Sequence, residues 1–407
     1  MAKCALFLPL LAVVIAALAG FMWDSRAADL KADSILFVKQ TFDERVDLPA
    51  ATATTNQPTR AFFVDTPDDS TNGKPSPILF LIHGKASNAD DMKTLFGAQS
   101  VARARLEGFL VVYPVGILNA DDSSRTWNAG SVDAHNTADD VAYFTRVVHH
   151  LARHFNADAQ SVFLAGMSNG GFMVNRLACE WGTTTDDDGA SSSSSSSSNN
   201  SGIRVRAIAP TLGGLAAMKY DETCGGKAVR MGGVPVPPIR VFDQAKCPYA
   251  TWRQAPAHFA CDGVRDLPVF MVNNGQDVLV PLGGAVITKG GGEMYPPVAY
   301  TLRFYAESNG CDYDDQDGAA ARTRTLFERA SGAVGGGEDV TACDSLKGCR
   351  ANTTLCVSRQ SGHNWVTPTN GEDPPMPSRF FRWLMSPYAK SFDTSAAILD
   401  FFSKHRM

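Results

Sequence analysis

Ser161-Val162-Phe163-Leu164-Ala165-Gly166-Met167-Ser168-Asn169-Gly170-Gly171 is the stretch on which the reading of this chain turns. Its first five residues form a short apolar run with no helical period, which predicts a buried strand. Gly-x-Ser-x-Gly follows at once, and a helix opens after it. Glycines on both sides of a serine let strand and helix pack closely around a strained turn, which pushes the hydroxyl out over the sheet edge. The first N–H groups of the helix point to the same place, where a negative charge would be stabilised. Ser168 is therefore the candidate nucleophile; the plainer alternative is a strand-to-helix turn that Ser168 merely caps.

A serine hydroxyl is scarcely ionised at neutral pH and needs a base. His258, His363 and His405 are the histidines that follow Ser168. His405 lies on the last predicted helix, and His258 precedes any plausible acid. His363 follows the predicted strand Leu355–Ser358, in Gly362-His363-Asn364-Trp365, and is the candidate base; stacking on Trp365 is its alternative reading. The acid should follow the strand Val269–Val272, which selects Asp277, to fix the histidine tautomer and stabilise the imidazolium. Asp262 and Asp266 precede that strand and sit at its wrong end. A second early strand, Ile78–Ile82, ends at His83-Gly84-Lys85. The main-chain amides of Lys85 and Asn169 are the expected oxyanion donors.

Outward from these residues, short apolar runs alternate with amphipathic stretches. Strands are predicted at Ala61–Val64, Ile78–Ile82, Phe109–Tyr113, Ser161–Ala165, Val205–Thr211, Val269–Val272 and Leu355–Ser358. Helices are predicted at Ala89–Leu106, Asp139–Phe155, Tyr300–Glu307 and Ala396–Lys404. Such alternation implies an α/β fold with a mostly parallel central sheet and helices on both faces. Three insertions interrupt it: 182–203, with eight consecutive serines; 218–265, rich in Gly and Pro and read as an irregular segment pinned by a crosslink through Cys224 and Cys247; and 312–342, read as a long excursion. His150 and His154 are spaced i, i+4 without the glutamate of a zinc-protease helix, so a solvated face is the reading. Trp127 either lines a pocket or covers the core.

The chain has 407 residues, is 44% hydrophobic and 19% charged, and carries a formal charge of −5. That is enough apolar surface for a core, and too little concentrated basic charge for a nucleic-acid partner. Residues 1–28, with Lys3 before an apolar run, read as a secretory signal peptide or an uncleaved anchor. Residues 29–407 read as a single catalytic domain with insertions. Without Cys4 the chain keeps Cys179, Cys224, Cys247, Cys261, Cys311, Cys343, Cys349 and Cys356, an even set that suits disulfides outside the cytosol. Asn199 and Asn352 stand in glycosylation sequons. No metal or cofactor is expected.

These pieces together resemble the secreted α/β-hydrolase esterases that include feruloyl esterases, acetyl xylan esterases and polyhydroxybutyrate depolymerases (the carbohydrate esterase family 1 type). The matching pieces are Leu81-Ile82-His83-Gly84, Trp127-Asn128, Asp139–Phe144, Gly166–Gly171, Leu177–Glu180, Val280-Pro281, Asn309-Gly310-Cys311 and Gly362–Trp365. The resemblance implies cofactor-free hydrolysis of carboxylic esters with Ser168, Asp277 and His363 as triad. It also implies pairing of Cys179 with Cys261 and of Cys311 with Cys349, and makes Trp127 and Trp365 candidates for lining the substrate. Feruloyl or related plant-wall esters are the favoured substrate, possibly polymeric. A polyhydroxybutyrate depolymerase and a non-catalytic binding protein are the alternatives. The chain departs from the pattern at Lys85, at Val366 and at Asn273-Asn274-Gly275-Gln276, where the family commonly has a His-Gly pair before the acid.

Overall fold

Apolar strands that run side by side in one direction make the centre of the molecule. The computed structural model describes residues 40–48, 59–68, 73–118, 124–130, 136–182, 201–219, 221–231, 234–255, 257–287, 293–314, 319–320, 322–329, 339–368 and 385–406. The readings made on residues 1–28, on Cys4 and on Asn199 lie outside them. In chain order the main sheet takes β1 (Glu44–Leu48), β2 (Arg60–Asp65), β3 (Ser76–Ile82), β4 (Leu110–Pro114), β7 (Ala157–Met167), β8 (Val205–Thr211), β11 (Val269–Asn274), β16 (Arg322–Arg329), β17 (Asp339–Leu346) and β18 (Thr353–Ser358). The intervening numbers belong to smaller sheets: β5 (Ile117–Leu118) with β6 (Arg125–Thr126), β9 (Gly225–Met231) and β10 (Val234–Phe242) with β12 (Ala285–Ile287) and β13 (Glu293–Tyr295), and β14 (Tyr313–Asp314) with β15 (Ala319–Ala320).

The spatial order is β1-β2-β4-β3-β7-β8-β11-β18-β17-β16. Pairing is parallel from β4 through β3, β7, β8 and β11 to β18, and antiparallel at both edges. This is the α/β-hydrolase arrangement, with an antiparallel pair added at one side. Strands covered on both faces need apolar residues at every position, which is why Ile78 to Ile82 are all fully buried. Ile78, Phe80 and Ile82 face the layer of α3 (Asp140–His154), α4 (Asn169–Trp181) and α6 (Val298–Ser308). Leu79 and Leu81 face α1 (Ala89–Phe96), α2 (Ala98–Leu106) and α7 (Thr394–Ser403). The one helix expected over Ala89–Leu106 is two, because Gly97 stands at φ 85° between them.

The insertions 218–265 and 312–342 hold more order, in their described residues, than their composition suggested, while 183–200 of the serine-rich insertion lies outside the described residues. Residues 218–265 carry the β9–β10 hairpin and α5 (Tyr249–Gln254), and β10 pairs with β12, so one segment after β8 and one after β11 build a second sheet. Cys224 is bonded to Cys247 within this insertion, and Cys179 on α4 is bonded to Cys261 at its far end. Within 312–342, β16 and the start of β17 extend the main sheet. Cys343 and Cys356 face each other across β17 and β18 and are bonded, as are Cys311 and Cys349. Asn309, fully buried after α6, donates to the Leu267 carbonyl and to Thr353 Oγ1 and accepts from Leu267 N, tying the entries of β11 and β18 together.

A buried ion pair ties β2 to the first turn of α3. Arg60 on β2 meets Asp140 at 2.5 Å, with 7% and 0% of the two side chains exposed, and the guanidinium lies 3.7 Å from the Tyr143 ring centroid. Arg60 also donates to the Val115 carbonyl, while Asp140 accepts from Asn128 N. Asp139 is the N-cap of α3 and accepts from Ala142 N. Removing one member leaves an uncompensated buried charge. Asp140→Ala should therefore lower the unfolding free energy by about 3–5 kcal/mol. The Arg60→Met, Asp140→Leu double variant should recover more than half of that loss in denaturant titrations; equal costs for single and double variants would contradict the account.

Candidate active site

β7 runs buried to Met167, and the next residue breaks the pattern. Ser168 stands at φ 56° and ψ −122°, a left-handed backbone that an L-residue rarely adopts, and it is partly exposed between buried neighbours. Its N–H donates to the Thr211 carbonyl at 2.9 Å and its carbonyl accepts from Phe172 N at 3.0 Å, so β8 and α4 hold the turn from both sides. Such a conformation costs about 1–3 kcal/mol and persists only when its surroundings fix it. Here they do so by close approach. A Cβ on Gly166 would meet the Gly170 carbonyl at 2.6 Å, and one on Gly171 the Thr211 carbonyl at 2.6 Å. A Cβ on Gly170 would overlap the carbonyl oxygens of Ile82 and His83.

Asp277 and His363 meet at the same edge of the sheet. Ser168, Asp277 and His363 follow the C-terminal ends of β7, β11 and β18, parallel strands whose ends lie together. His363 Nδ1 donates to Asp277 Oδ2 at 2.7 Å, with the two residues each 4% exposed. The other carboxylate oxygen accepts from Leu279 N and Val280 N, both at 2.8 Å. With Nδ1 committed to the carboxylate, the neutral ring presents Nε2 as a proton acceptor.

Asn274, one of the departures from the family's pattern, fastens these two loops. Its amide nitrogen donates to the carbonyls of Gly362 (2.6 Å) and Asn364 (2.8 Å), on either side of His363. Gln276 N donates to the Ser361 carbonyl, and Asn364 Nδ2 donates to the Met385 and Pro387 carbonyls. An amide that reaches across from β11 leaves no mark on local spacing, so no motif in the sequence points to it.

Gly84 lies against Ser168: a Cβ there would stand 3.3 Å from Ser168 Cβ and 3.9 Å from its Oγ. Lys85 follows with a half-buried side chain, and Asn169 opens α4 fully buried. His83, fully buried, places Nδ1 2.7 Å from the Gly84 carbonyl and accepts from Gly116 N at 3.0 Å. Desolvation by burial pushes its pKa from the ordinary 6.5 down to about 3, and Arg125 and Arg60 push the same way, so the ring is neutral.

The two tryptophans expected beside the substrate lie elsewhere. Trp127 is fully buried between Tyr143, Phe144 and His83, and its indole N–H donates to the His83 carbonyl at 2.8 Å. Trp365 is 3% exposed, bonds Ser395 Oγ at 2.9 Å and packs edge-on to Phe96. Both are core residues rather than candidates for lining a substrate pocket, because loop position says nothing of what packs on top. Asn352 is exposed directly before β18, its amide 3.5 Å from His405 Nε2, while Thr353 of its sequon is buried. His150 and His154 stack with ring centroids 4.3 Å apart. Among the described residues no cluster of three or more His, Cys, Asp or Glu has the makings of a metal site, and no helix is long and apolar enough to cross a membrane.

The displaced pKa of His83 has a stability consequence. The unfolded chain protonates this ring below about pH 6.5 and the folded protein only near pH 3, so stability is lost as pH falls through that window. Unfolding midpoints measured from pH 7 to pH 3 should fall less steeply in His83→Gln than in the wild type. An unchanged slope would contradict the buried neutral ring.

No family model matches the chain, and no curated protein matches it. Solved structures are similar to it over much of its length. They include an S-formylglutathione hydrolase from Agrobacterium tumefaciens (12% identity, TM-score 0.44, covering 89% of this chain and 95% of that one). Another is an acetyl xylan esterase from Aspergillus awamori (12% identity, TM-score 0.43, covering 79% of this chain and 94% of that one).

Proposed function

We propose that the chain is a serine esterase that hydrolyses carboxylic esters through an acyl-enzyme. The observation that carries this reading is the buried 2.7 Å bond from His363 to Asp277, made at the sheet edge over which Ser168 stands on its left-handed turn. Ser168 Oγ attacks the acyl carbon while His363 Nε2 takes its proton, and Asp277 holds the ring in the Nδ1–H tautomer. The tetrahedral oxyanion accepts hydrogen bonds from the main-chain amides of Lys85 and Asn169. Its collapse expels an alkoxide, which takes the proton from His363. Water, activated by the same nitrogen, then frees the acid and restores Ser168.

The substrate we favour is a feruloyl or related ester of plant polysaccharide, met outside the cell. Four disulfides among the described residues support an oxidising compartment. The second sheet packs beside the nucleophile helix, where Phe172 and Tyr295 stand 5.3 Å apart, and it adds surface that a polymeric alcohol would meet.

The purified protein, assayed on methyl ferulate, acetylated xylan and polyhydroxybutyrate, should turn over methyl ferulate fastest; preference for the polyester would favour depolymerisation instead. Ser168→Ala should reduce turnover to background. Asp277→Asn should lower kcat by roughly 10³–10⁴-fold, because the wrong tautomer of His363 then prevails. Full activity in Ser168→Ala would overturn the mechanism.

A further inference from the structure

A chain of buried hydrogen bonds joins the residues that carry the two oxyanion amides, and it is made of side chains that the triad does not use. The Asn169 side chain turns back onto residues 126–127. Its Oδ1 accepts from Trp127 N at 2.7 Å and from Thr126 Oγ1 at 3.3 Å, and its Nδ2 donates to the Trp127 carbonyl at 3.1 Å. The Trp127 indole then donates to the His83 carbonyl, and the His83 ring bonds the Gly84 carbonyl. Asn169, Thr126, Trp127 and His83 are all fully buried.

The hydrogen-bond partners fix the tautomer of His83. The Gly84 carbonyl only accepts, so Nδ1 must carry the proton; Gly116 N only donates, so Nε2 must be bare. A ring held this way pins the Gly84 carbonyl on the His83 side. The peptide unit is planar and trans, with its C=O and N–H pointing in opposite directions. Pinning the Gly84 carbonyl toward His83 therefore turns the Lys85 N–H the other way. Gly84 itself is packed against Ser168, which sets the peptide that carries the Lys85 N–H beside the serine. One more bond, Ala86 N to the Arg125 carbonyl at 2.9 Å, holds the far end of the loop.

We propose that the side chains of Asn169, Trp127 and His83 are positioning residues that lock the Gly84–Lys85 peptide in its donor orientation and set its spacing from the Asn169 amide. This rests on the serine-esterase reading and deepens it. The lock acts on groups that bind the oxyanion, so its loss falls on the transition state and spares ground-state binding. A rotated Gly84–Lys85 peptide would present a carbonyl where a donor is needed.

The test uses Trp127→Phe, which removes only the indole N–H, beside the pair His83→Leu and His83→Asn. The Asn amide restores a donor near the Gly84 carbonyl. For each variant that melts cooperatively, kcat and KM on methyl ferulate are measured, with the inhibition constant of a boronic acid whose tetrahedral adduct places an oxygen in the hole. We expect kcat to fall 10–100-fold in Trp127→Phe with KM within about threefold, and boronate affinity to weaken in parallel with kcat/KM. His83→Asn should recover part of what His83→Leu loses. Unchanged kcat in a folded Trp127→Phe overturns the proposal, as does a fall in kcat with boronate affinity intact. In both cases abolition of wild-type turnover by Ser168→Ala leaves the esterase reading standing. A wild type that hydrolyses none of the esters overturns both.

Discussion

Ser168 can stand at φ 56° over the end of β7 because the glycines about it let neighbouring backbone come close. Gly166, Gly170 and Gly171 admit the carbonyls of Gly170, Ile82, His83 and Thr211 to distances at which any Cβ would clash, and Gly84 closes the fourth side. The tight crossing of β3, β7, β8 and α4 depends on those four positions. So does everything arranged about it. The helix that follows begins under the serine hydroxyl, and the loop after β3 reaches the same point.

Around that crossing the core carries linked polar groups, although Arg60 Nε, Thr211 Oγ1 and Asn274 Oδ1 have no hydrogen-bond partner among the described residues. Arg60 and Asp140, Asn128, Trp127, His83 and Asn169 form successive links from β2 through the first turn of α3 to the first turn of α4. All but the half-buried Asn128 are buried, and each of these would be costly if left without its partner. The far side of the site has a matching arrangement, in which Asn274 and Asn364 hold the His363 loop against β11 and the 385–387 segment. Two buried networks thus hold the two loops from opposite sides of one sheet, and loops alone would not keep His363 and Asp277 in register.

The parallel centre of the sheet was legible because strands covered on both faces must be apolar throughout, as Ile78–Ile82 and Val162–Ala165 are. Ser168 was legible from its glycines, and the Asp277–His363 pair from its position after two such strands. What stayed hidden depends on contacts far apart in the chain. β16 reads Arg-Thr-Arg-Thr-Leu-Phe-Glu-Arg, with residues 322–327 exposed, so no apolar run betrayed it. β10 holds Pro235, Pro237 and Pro238, which cannot donate to a ladder; its pairing with β9 shifts register between Val236 and Arg240, where the last two stand. Trp127 and Trp365 sit in loops whose burial is decided by α3, α1 and α7.

Reaction of the folded protein with a fluorophosphonate probe, read by mass spectrometry of the intact chain and of its peptides, tests the central claim most directly. It requires no choice of substrate. The geometry predicts one adduct, on the peptide that carries Ser168, formed at least 100-fold more slowly in His363→Ala. No adduct in a folded chain, or an adduct on another residue, would contradict it.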